Sequence, residues 1–597
     1  MDVGTDSRNI ENGVRLDRPD ALGGTYARWT EIALPAAGLL LLFWGLGGRS
    51  LWAAEGRWAQ ITREMFLTGD FFHPTIGGEP YFDKPLLTYW FRAGLYALTG
   101  TLNELIIRLP SAIAGLAAIW ATVKVGTRLW SAQTGRIAGW LLLTTYSFLF
   151  WARTGTADAE NLAVIILAVA WYWSRRDRLS FPAMLVFYLI AFVGGLTKGL
   201  TAVVVPVVIV LPDMVREGRW RILFSVRHIA AFGLALLVYL APFVYASVTR
   251  PADYQSSGLA LVFQENFLRY FRPIDHKGPI YLYVYSLPVL LLPWTPLFVL
   301  AAVGVVKYRK GLDGNTRWLI WAIALVFLFF SISGSRRSYY ILPILPLCAL
   351  LMAVFVVWMR EPGAEHMRQQ GVDVQRLLLI GVAAFDVAIP LVLILAGRAL
   401  HFRAPLEFYV VSLGIGTAGI LLGVGLERFI QWPRPSPGGQ RTIQPWIGVA
   451  AVLLGGYFCW QQNILEMNRT ERPFAGKLRT MSAGLSPERI AIFPKANPNI
   501  LFYLHMDEPI QIARDVDQLR RFLEPARPSA VIMQSRYAAA LPDDLSRLLW
   551  SQPYLREQTE PWESKSSKQE KWVAWFWERL PDEPNATEVA NGADHAE

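Results

Sequence analysis

The sequence predicts a polytopic α-helical membrane protein that ends in a small α/β soluble domain. Hydrophobic residues make up 53% of its 597 positions and charged residues only 17%. An ordinary soluble domain has an apolar share of roughly 45–50% even with glycine included. Apolar runs close to bilayer length recur as far as residue 463, and beyond it the composition turns polar. A membrane helix needs about 20 mainly apolar residues to cross a hydrocarbon core of about 30 Å, so the bilayer is the main solvent for this chain.

Six apolar runs precede Pro212, at Ile32 to Leu46, Leu105 to Val125, Ile137 to Trp151, Asn161 to Trp173, Phe181 to Leu196 and Leu200 to Leu211. The later ones are His228 to Val248, Leu282 to Val305, Leu319 to Ser331, Tyr339 to Met359, Leu377 to Leu395, Phe408 to Leu426 and Trp446 to Asn463. This predicts about 13 transmembrane helices, with boundaries good to a few residues. Residues 1–31 are polar and lack the apolar core and small-residue cleavage site of a secretory signal, so the first span is expected to be retained.

Basic residues concentrate in alternate loops: Lys124, Arg128 and Arg136; Arg175, Arg176 and Arg178; Arg216, Arg219, Arg221 and Arg227. Lys307, Arg309 and Lys310, then Arg360, Arg368 and Arg376, then Arg428, Arg434 and Arg441 continue the pattern. The positive-inside rule then places the N-terminus in the cytoplasm of a bacterial inner (plasma) membrane protein. It also accounts for the net charge of +10 without a nucleic-acid partner. With an odd number of spans, residues 464–597 fall outside, after a transmembrane domain over 1–463. Strands are expected at Arg489 to Phe493 and Glu570 to Trp577, and helices at Val516 to Leu523 and Tyr537 to Leu549. Cys348 and Cys459 both sit in apolar runs and supply neither a disulfide framework nor a zinc site.

Polar clusters gather in the loops assigned to the outside. The first loop holds AEGRWAQITREM, GDFFHP and PYFDKPLLTYW; Trp58, Ile61, Met65 and Phe66 give one helix an apolar side suited to the membrane surface, and Leu86 to Leu98 reads as a second interfacial helix. Lys84 stands between Asp83 and Pro85. Other outer loops carry Arg153, Asp158 and Glu160; Lys198; Arg269 and Arg272; and Arg336, Arg337 and Tyr340. A single cation at a helix end often just snorkels to the interface. Their repetition on one face, against the positive-inside bias, points to an anionic lipid phosphate, which Arg grips bidentately and Lys as a point charge.

AEGRWA, YFDKP, TADAEN, GGLTKG, ENFLRYF and SYYILPILP resemble the motifs of the bacterial 4-amino-4-deoxy-L-arabinose lipid A transferases, related more broadly to the protein O-mannosyltransferases of GT-C type. The resemblance implies a glycosyltransferase that takes sugar from polyprenyl (undecaprenyl) phosphate and passes it to lipid A, another glycan or a protein. By motif, Lys84, Arg269 and Tyr340 would contact the carrier phosphate, with Arg57, Tyr81 and Lys198 also on the substrate, and Asp158 near the reacting centre.

The first loop departs from the family pattern, having Ala54 and Glu55 where Asp-Glu is usual. An alcohol acceptor would need a base to remove its proton. A phosphate acceptor is already anionic, its second pKa being about 6 by analogy with phosphorylated side chains. Ala54 therefore fits a phosphate acceptor, a site in which Asp158 or Glu55 serves as base, or a site without activity; Asp158 is the preferred catalytic residue and Glu55 the second. Asp83, Asp158, Glu160, His73 and His276 show no ligand spacing, so no cofactor or metal is assigned, a divalent ion staying an option. Asp386, inside an apolar run, is either functional or locally hydrogen-bonded. The rival reading is a polyprenyl-lipid flippase; it would favour internal repeats and mid-membrane binding groups, which the sequence does not display.

Overall fold

A computed structural model describes residues 24–52, 54–251, 254, 259–260, 278–357, 362–400, 405–431, 443–524, 530–559 and 565–577. Its first helices are α1 (Gly24–Phe43), α2 (Glu55–Thr68), α3 (Leu87–Thr99), α4 (Glu104–Leu129), α5 (Ala132–Leu143), α6 (Tyr146–Ala152), α7 (Asp158–Arg175), α8 (Phe181–Lys198), α9 (Thr201–Arg216) and α10 (Val226–Val248). Side-chain caps set several starts: Asn103 accepts from the Ile106 N–H, Ser131 from Thr134 and Ser225 from His228.

Among the described residues seven helices are long and apolar enough to cross a bilayer: α4, α8, α10, Gly314–Ile332, Ser338–Val357, His366–Val392 and Leu406–Gly425. The predicted span Leu282 to Val305 is instead two helices, Leu282–Leu290 and Thr295–Lys307, bent by 119°. The break is anchored: Leu292 O accepts from the Tyr146 N–H at 2.8 Å, and the Trp294 indole donates to Thr144 O at 2.9 Å. Other predicted spans fall on shorter pieces. The run Ile137 to Trp151 is divided between α5 and α6, α9 has 16 residues, and α7 carries Asp158, Glu160 and Arg175.

The long first loop between Leu51 and Gly100 is built differently from the sequence expectation. Trp58, Ile61 and Met65 of α2 are buried, as expected for an apolar face, but so are Glu55, Gln60, Thr62 and Glu64 on its other sides. What covers α2 is the C-terminal region rather than lipid. A Cβ on Gly56 would lie 1.9 Å from Asn499 Oδ1 of the helix Pro498–Leu504, so only glycine permits this approach.

That region is a five-stranded mixed sheet. Its strands are β3 (Ile490–Phe493), β4 (Gln511–Ile512), β5 (Ala530–Gln534), β6 (Tyr554–Arg556) and β7 (Trp572–Phe576), in the order β4-β3-β5-β7-β6; β3 runs parallel to β4 and β5, and β7 antiparallel to β5 and β6. Side chains alternate across the sheet. Ile490, Ile492, Ile532 and Ala574 face a core continuous with the membrane helices, while Ala491, Phe493, Val531 and Trp575 face Leu519, Leu545 and Leu549. The predicted helix Val516 to Leu523 is present; Tyr537 to Leu549 is two helices, Ser535–Ala538 and Asp543–Trp550.

Candidate active site

Two clusters of predicted residues form at the ends of α7 and α8 and along the first loop. In the first, Asp158 opens α7 and makes an ion pair with Lys198, the last residue of α8. Thr156 donates its hydroxyl to the other carboxylate oxygen of Asp158 at 2.9 Å. The Lys198 ammonium lies 5.3 Å from the centre of the Tyr340 ring and 5.7 Å from that of Tyr339. Asp158 thus sits at the N-terminus of a helix, where the macrodipole favours an anion, with a counter-charge and an aromatic wall beside it.

The second cluster follows a small hairpin of β1 (Thr75–Ile76) and β2 (Glu79–Pro80). Arg57 on α2 donates to the Tyr81 hydroxyl at 2.9 Å and to Asp83 at 3.3 Å, and Lys84 lies 3.1 Å from the other Asp83 oxygen. Burial disfavours the charge on Arg57, but Tyr81 and Asp83 outweigh it and raise its pKa above the ordinary value. Arg57 and Asp158 both lie within electrostatic reach of the Tyr339 phenol. Arg269 lies outside the described residues.

The hairpin is held from both sides. Glu64 of α2 accepts from the Thr75 hydroxyl at 2.5 Å and from the N–H groups of Gly77 and Gly78 at 2.6 and 3.2 Å. Gly77 has φ of +64°, and a Cβ there would also meet Ile512 of β4 at 2.8 Å. Arg514 closes the contact with a 2.6 Å ion pair to Glu79. Gly77→Val is expected to cost about 1–3 kcal/mol for the backbone alone and to raise the donor KM by displacing the Tyr81–Lys84 segment. Melting curves and donor titration of the purified variant test this, and an unchanged KM would mean that the hairpin does not position Lys84.

Glu55, the second candidate for the catalytic role, is occupied otherwise. It has no exposed surface and forms a bidentate pair with Arg108 of α4, 2.8 Å on each side. It also accepts the N–H groups of Trp52 and Gly155 at 2.7 and 2.6 Å. Burial works against the carboxylate, but Arg108, Arg49 and the Gly155 N–H outweigh it and hold its pKa at about 2. Arg108 spends its remaining donors on the carbonyls of Leu46, Arg49 and Ser50 at 2.8–2.9 Å. All five N–H donors of the guanidinium are used.

Other cations that the sequence grouped with these are similarly committed. Arg153 donates to the carbonyls of Leu41, Trp44 and Phe458, and Glu160 pairs with buried Arg92 at 3.2 Å. Arg336 donates to the carbonyls of Gly278 and Ser331. These groups close helix ends and loops, a use that the sequence reading, which assigned the cation repetition to a phosphate, did not separate out. Neither Arg92 nor Arg108 was singled out there. His73 is buried between Asp70, at 2.7 Å, and the Ala246 carbonyl, at 2.9 Å. Asp386 meets Gln461. Among the described residues no three His, Cys, Asp or Glu side chains gather as metal ligands would.

Ala54 is the N-cap of α2 and makes no side-chain cap. Near it opens a polar cleft between the first loop and the sheet region, lined by Trp52, Arg469, Glu471, Glu557, Glu570 and Lys571 among others. Trp52, Phe150, Trp151 and Tyr339 form a relay of aromatic contacts from this cleft to Lys198, with successive centroid separations of 5.4, 5.3 and 4.4 Å.

Residues 83–245, which contain both clusters except Arg57, Tyr81 and the Tyr339–Tyr340 pair, match the dolichyl-phosphate-mannose-protein mannosyltransferase family. The undecaprenyl phosphate-α-4-amino-4-deoxy-L-arabinose arabinosyl transferase of Pseudomonas paraeruginosa is 31% identical over 403 residues, 65% of this chain and 69% of the relative. The enzyme of the same name from Aeromonas salmonicida is 31% identical over 347 residues, 56% of this chain and 62% of that one. The fold is similar to the crystal structure of ArnT from Cupriavidus metallidurans bound to undecaprenyl phosphate, with TM-score 0.70 and 20% identity over 92% of this chain and 98% of that one. The Archaeoglobus fulgidus oligosaccharyltransferase is similar with TM-score 0.50 and 12% identity over 86% and 70%. With a GT-C fold over nearly its whole length and this identity to named enzymes, the chain belongs to the undecaprenyl phosphate-4-amino-4-deoxy-L-arabinose arabinosyl transferase family.

Proposed function

We propose that this polyprenyl-phosphate-dependent glycosyltransferase binds its carrier phosphate at Lys84 and Arg57, with Tyr81, Tyr340 and Arg269 completing the set, and performs transfer beside Asp158 and Lys198. The observation that carries this reading is the Asp158–Lys198 pair walled by Tyr339 and Tyr340, with Arg57 of the Arg57–Asp83–Lys84 cluster within electrostatic reach of Tyr339. As the acceptor oxygen bonds to the anomeric carbon, the bond from that carbon to the carrier phosphate oxygen breaks, and the electron pair leaves on the phosphate. Fixed cations aimed at that phosphate stabilise the charge it gains.

Asp158 takes the catalytic place and Glu55 a structural one, because the four acceptor sites of Glu55 are already filled by protein donors. The cleft beside Trp52 supplies a route for the acceptor, and Arg469 and Lys571 on its wall suit a phosphorylated glycolipid such as lipid A. The loop charges support a cytoplasmic N-terminus in a bacterial inner membrane, and counting α1, the α5–α6 pair, α7, α9, the bent pair Leu282–Leu290 with Thr295–Lys307, and Gln444–Gly456 beside the seven long helices supports 13 crossings. The sheet region would then stand as an extracytoplasmic domain over the site.

The test is transfer from radiolabelled undecaprenyl-phosphate sugars to lipid A, glycan and peptide acceptors by the purified protein. Lys84→Ala is expected to lower kcat/KM for the donor about 10–100-fold, by analogy with the ~1.5–3 kcal/mol of a charge-assisted hydrogen bond. Carrier binding that persists with no transfer to any acceptor would support the flippase reading instead.

A further inference from the structure

At the far end of α7 from Asp158, about 25 Å away for an 18-residue helix, a narrow pocket opens between α7, α8, α9, α10 and the short 3-10 helix Arg219–Phe224. Its walls are apolar and aromatic, including Trp171, Phe187, Val207 and Leu223. Two polar groups interrupt them. His228 shares a 2.7 Å hydrogen bond with the Tyr188 hydroxyl through Nε2, while its buried Nδ1 has no partner. Arg175 lines the pocket too.

The arginines around this pocket divide into two groups. Arg176 and Arg216 are bound to Asp213 and Glu217, and Arg219 donates to the Arg176 carbonyl. Arg175 and Arg221 are exposed, and their described partners are the faces of Trp171 and Trp220. The segment RWRILF, with Phe224 72% exposed and Val226 83% exposed just after it, has the cation and aromatic composition of a membrane interface.

We propose that this pocket holds one acyl chain of an anionic phospholipid from the leaflet opposite the candidate active site. The apolar walls take the chain, His228 Nδ1 meets the ester carbonyl at the boundary of hydrocarbon and headgroup, and the phosphate lies at Arg175. Each part answers an observation: a narrow apolar pocket, a buried nitrogen that needs a partner, and exposed cations whose described partners are aromatic faces rather than carboxylates.

The full-length protein, purified in mild detergent, is irradiated with phosphatidylglycerol carrying a diazirine in one acyl chain, and in parallel with phosphatidylcholine carrying the same chain. Peptide mapping is expected to find adducts within residues 171–188 and 207–228, several-fold more from phosphatidylglycerol. Arg175→Gln should reduce that labelling about threefold or more while leaving adducts elsewhere on the protein, and sugar transfer, as they were. Adducts confined to other surfaces, or equal labelling by the two headgroups, would overturn the proposal.

Discussion

Glu55→Gln is expected to destabilise the protein by about 3–5 kcal/mol, the range for removing one member of a buried ion pair, while leaving turnover per folded molecule nearly unchanged. The size follows from what remains. Arg108 would keep its full charge in a site with no exposed surface, and the amide that replaces a carboxylate oxygen would turn donors toward the guanidinium or toward the Trp52 and Gly155 N–H groups. Replacing both members, as in Glu55→Leu with Arg108→Met, should recover only part of the loss, because Arg108 also holds the carbonyls of Leu46, Arg49 and Ser50.

The same pair sets an acid limit. The folded protein holds Glu55 at about 2 against 4.5 for an ordinary glutamate, so its contribution is fully present above about pH 4.5 and is lost as pH falls toward 2. Melting temperatures in detergent across that window should fall for the wild type and be flatter for Glu55→Gln. Turnover abolished at undiminished stability would return Glu55 to the catalytic role.

The contrast between these two carboxylates shows what was legible in the sequence. Asp158, Lys198, Lys84 and Tyr340 could be named because they stand in short motifs on polar loops between apolar runs. The occupation of Glu55 could not, since Arg108 lies 53 positions away inside an apolar run, where an arginine reads as one that snorkels to the interface. The helices α2 and α3 were visible from their apolar spacing, but whether lipid or protein covered α2 depended on Asn499 and a sheet more than 400 residues later. Strand β5 was missed although Ala530–Gln534 is as apolar and nearly as buried as β3 and β7, because periodicity alone does not separate a short apolar strand without alternation from a buried helix. The break in Leu282 to Val305 has a tertiary cause, the anchoring of Leu292 and Trp294 on the α5–α6 junction.

Asp158→Asn is expected to lower kcat by ~10²–10⁴-fold, the range for a positioned general acid or base, with little change in donor KM because the carrier phosphate is held by the other cluster. Asparagine keeps the shape and can still accept from Thr156, so a collapse of the fold is not the anticipated cause. It loses the negative charge that balances Lys198. Two chemistries can then be told apart. If the acceptor is an alcohol, Asp158 receives its proton, and Asp158→Asn with Lys198→Ala should be as inactive as Asp158→Asn alone. With a phosphate acceptor no proton need be taken, and the aspartate serves to hold Lys198 in place; Lys198→Ala alone should then lower kcat about as much as Asp158→Asn, and the double variant no further. Ala54 makes that comparison the more informative one, since this chain has Ala54-Glu55 where the motif it resembles has Asp-Glu. Undiminished transfer by Asp158→Asn would remove the residue from the mechanism and leave Asp83 as the next carboxylate to change.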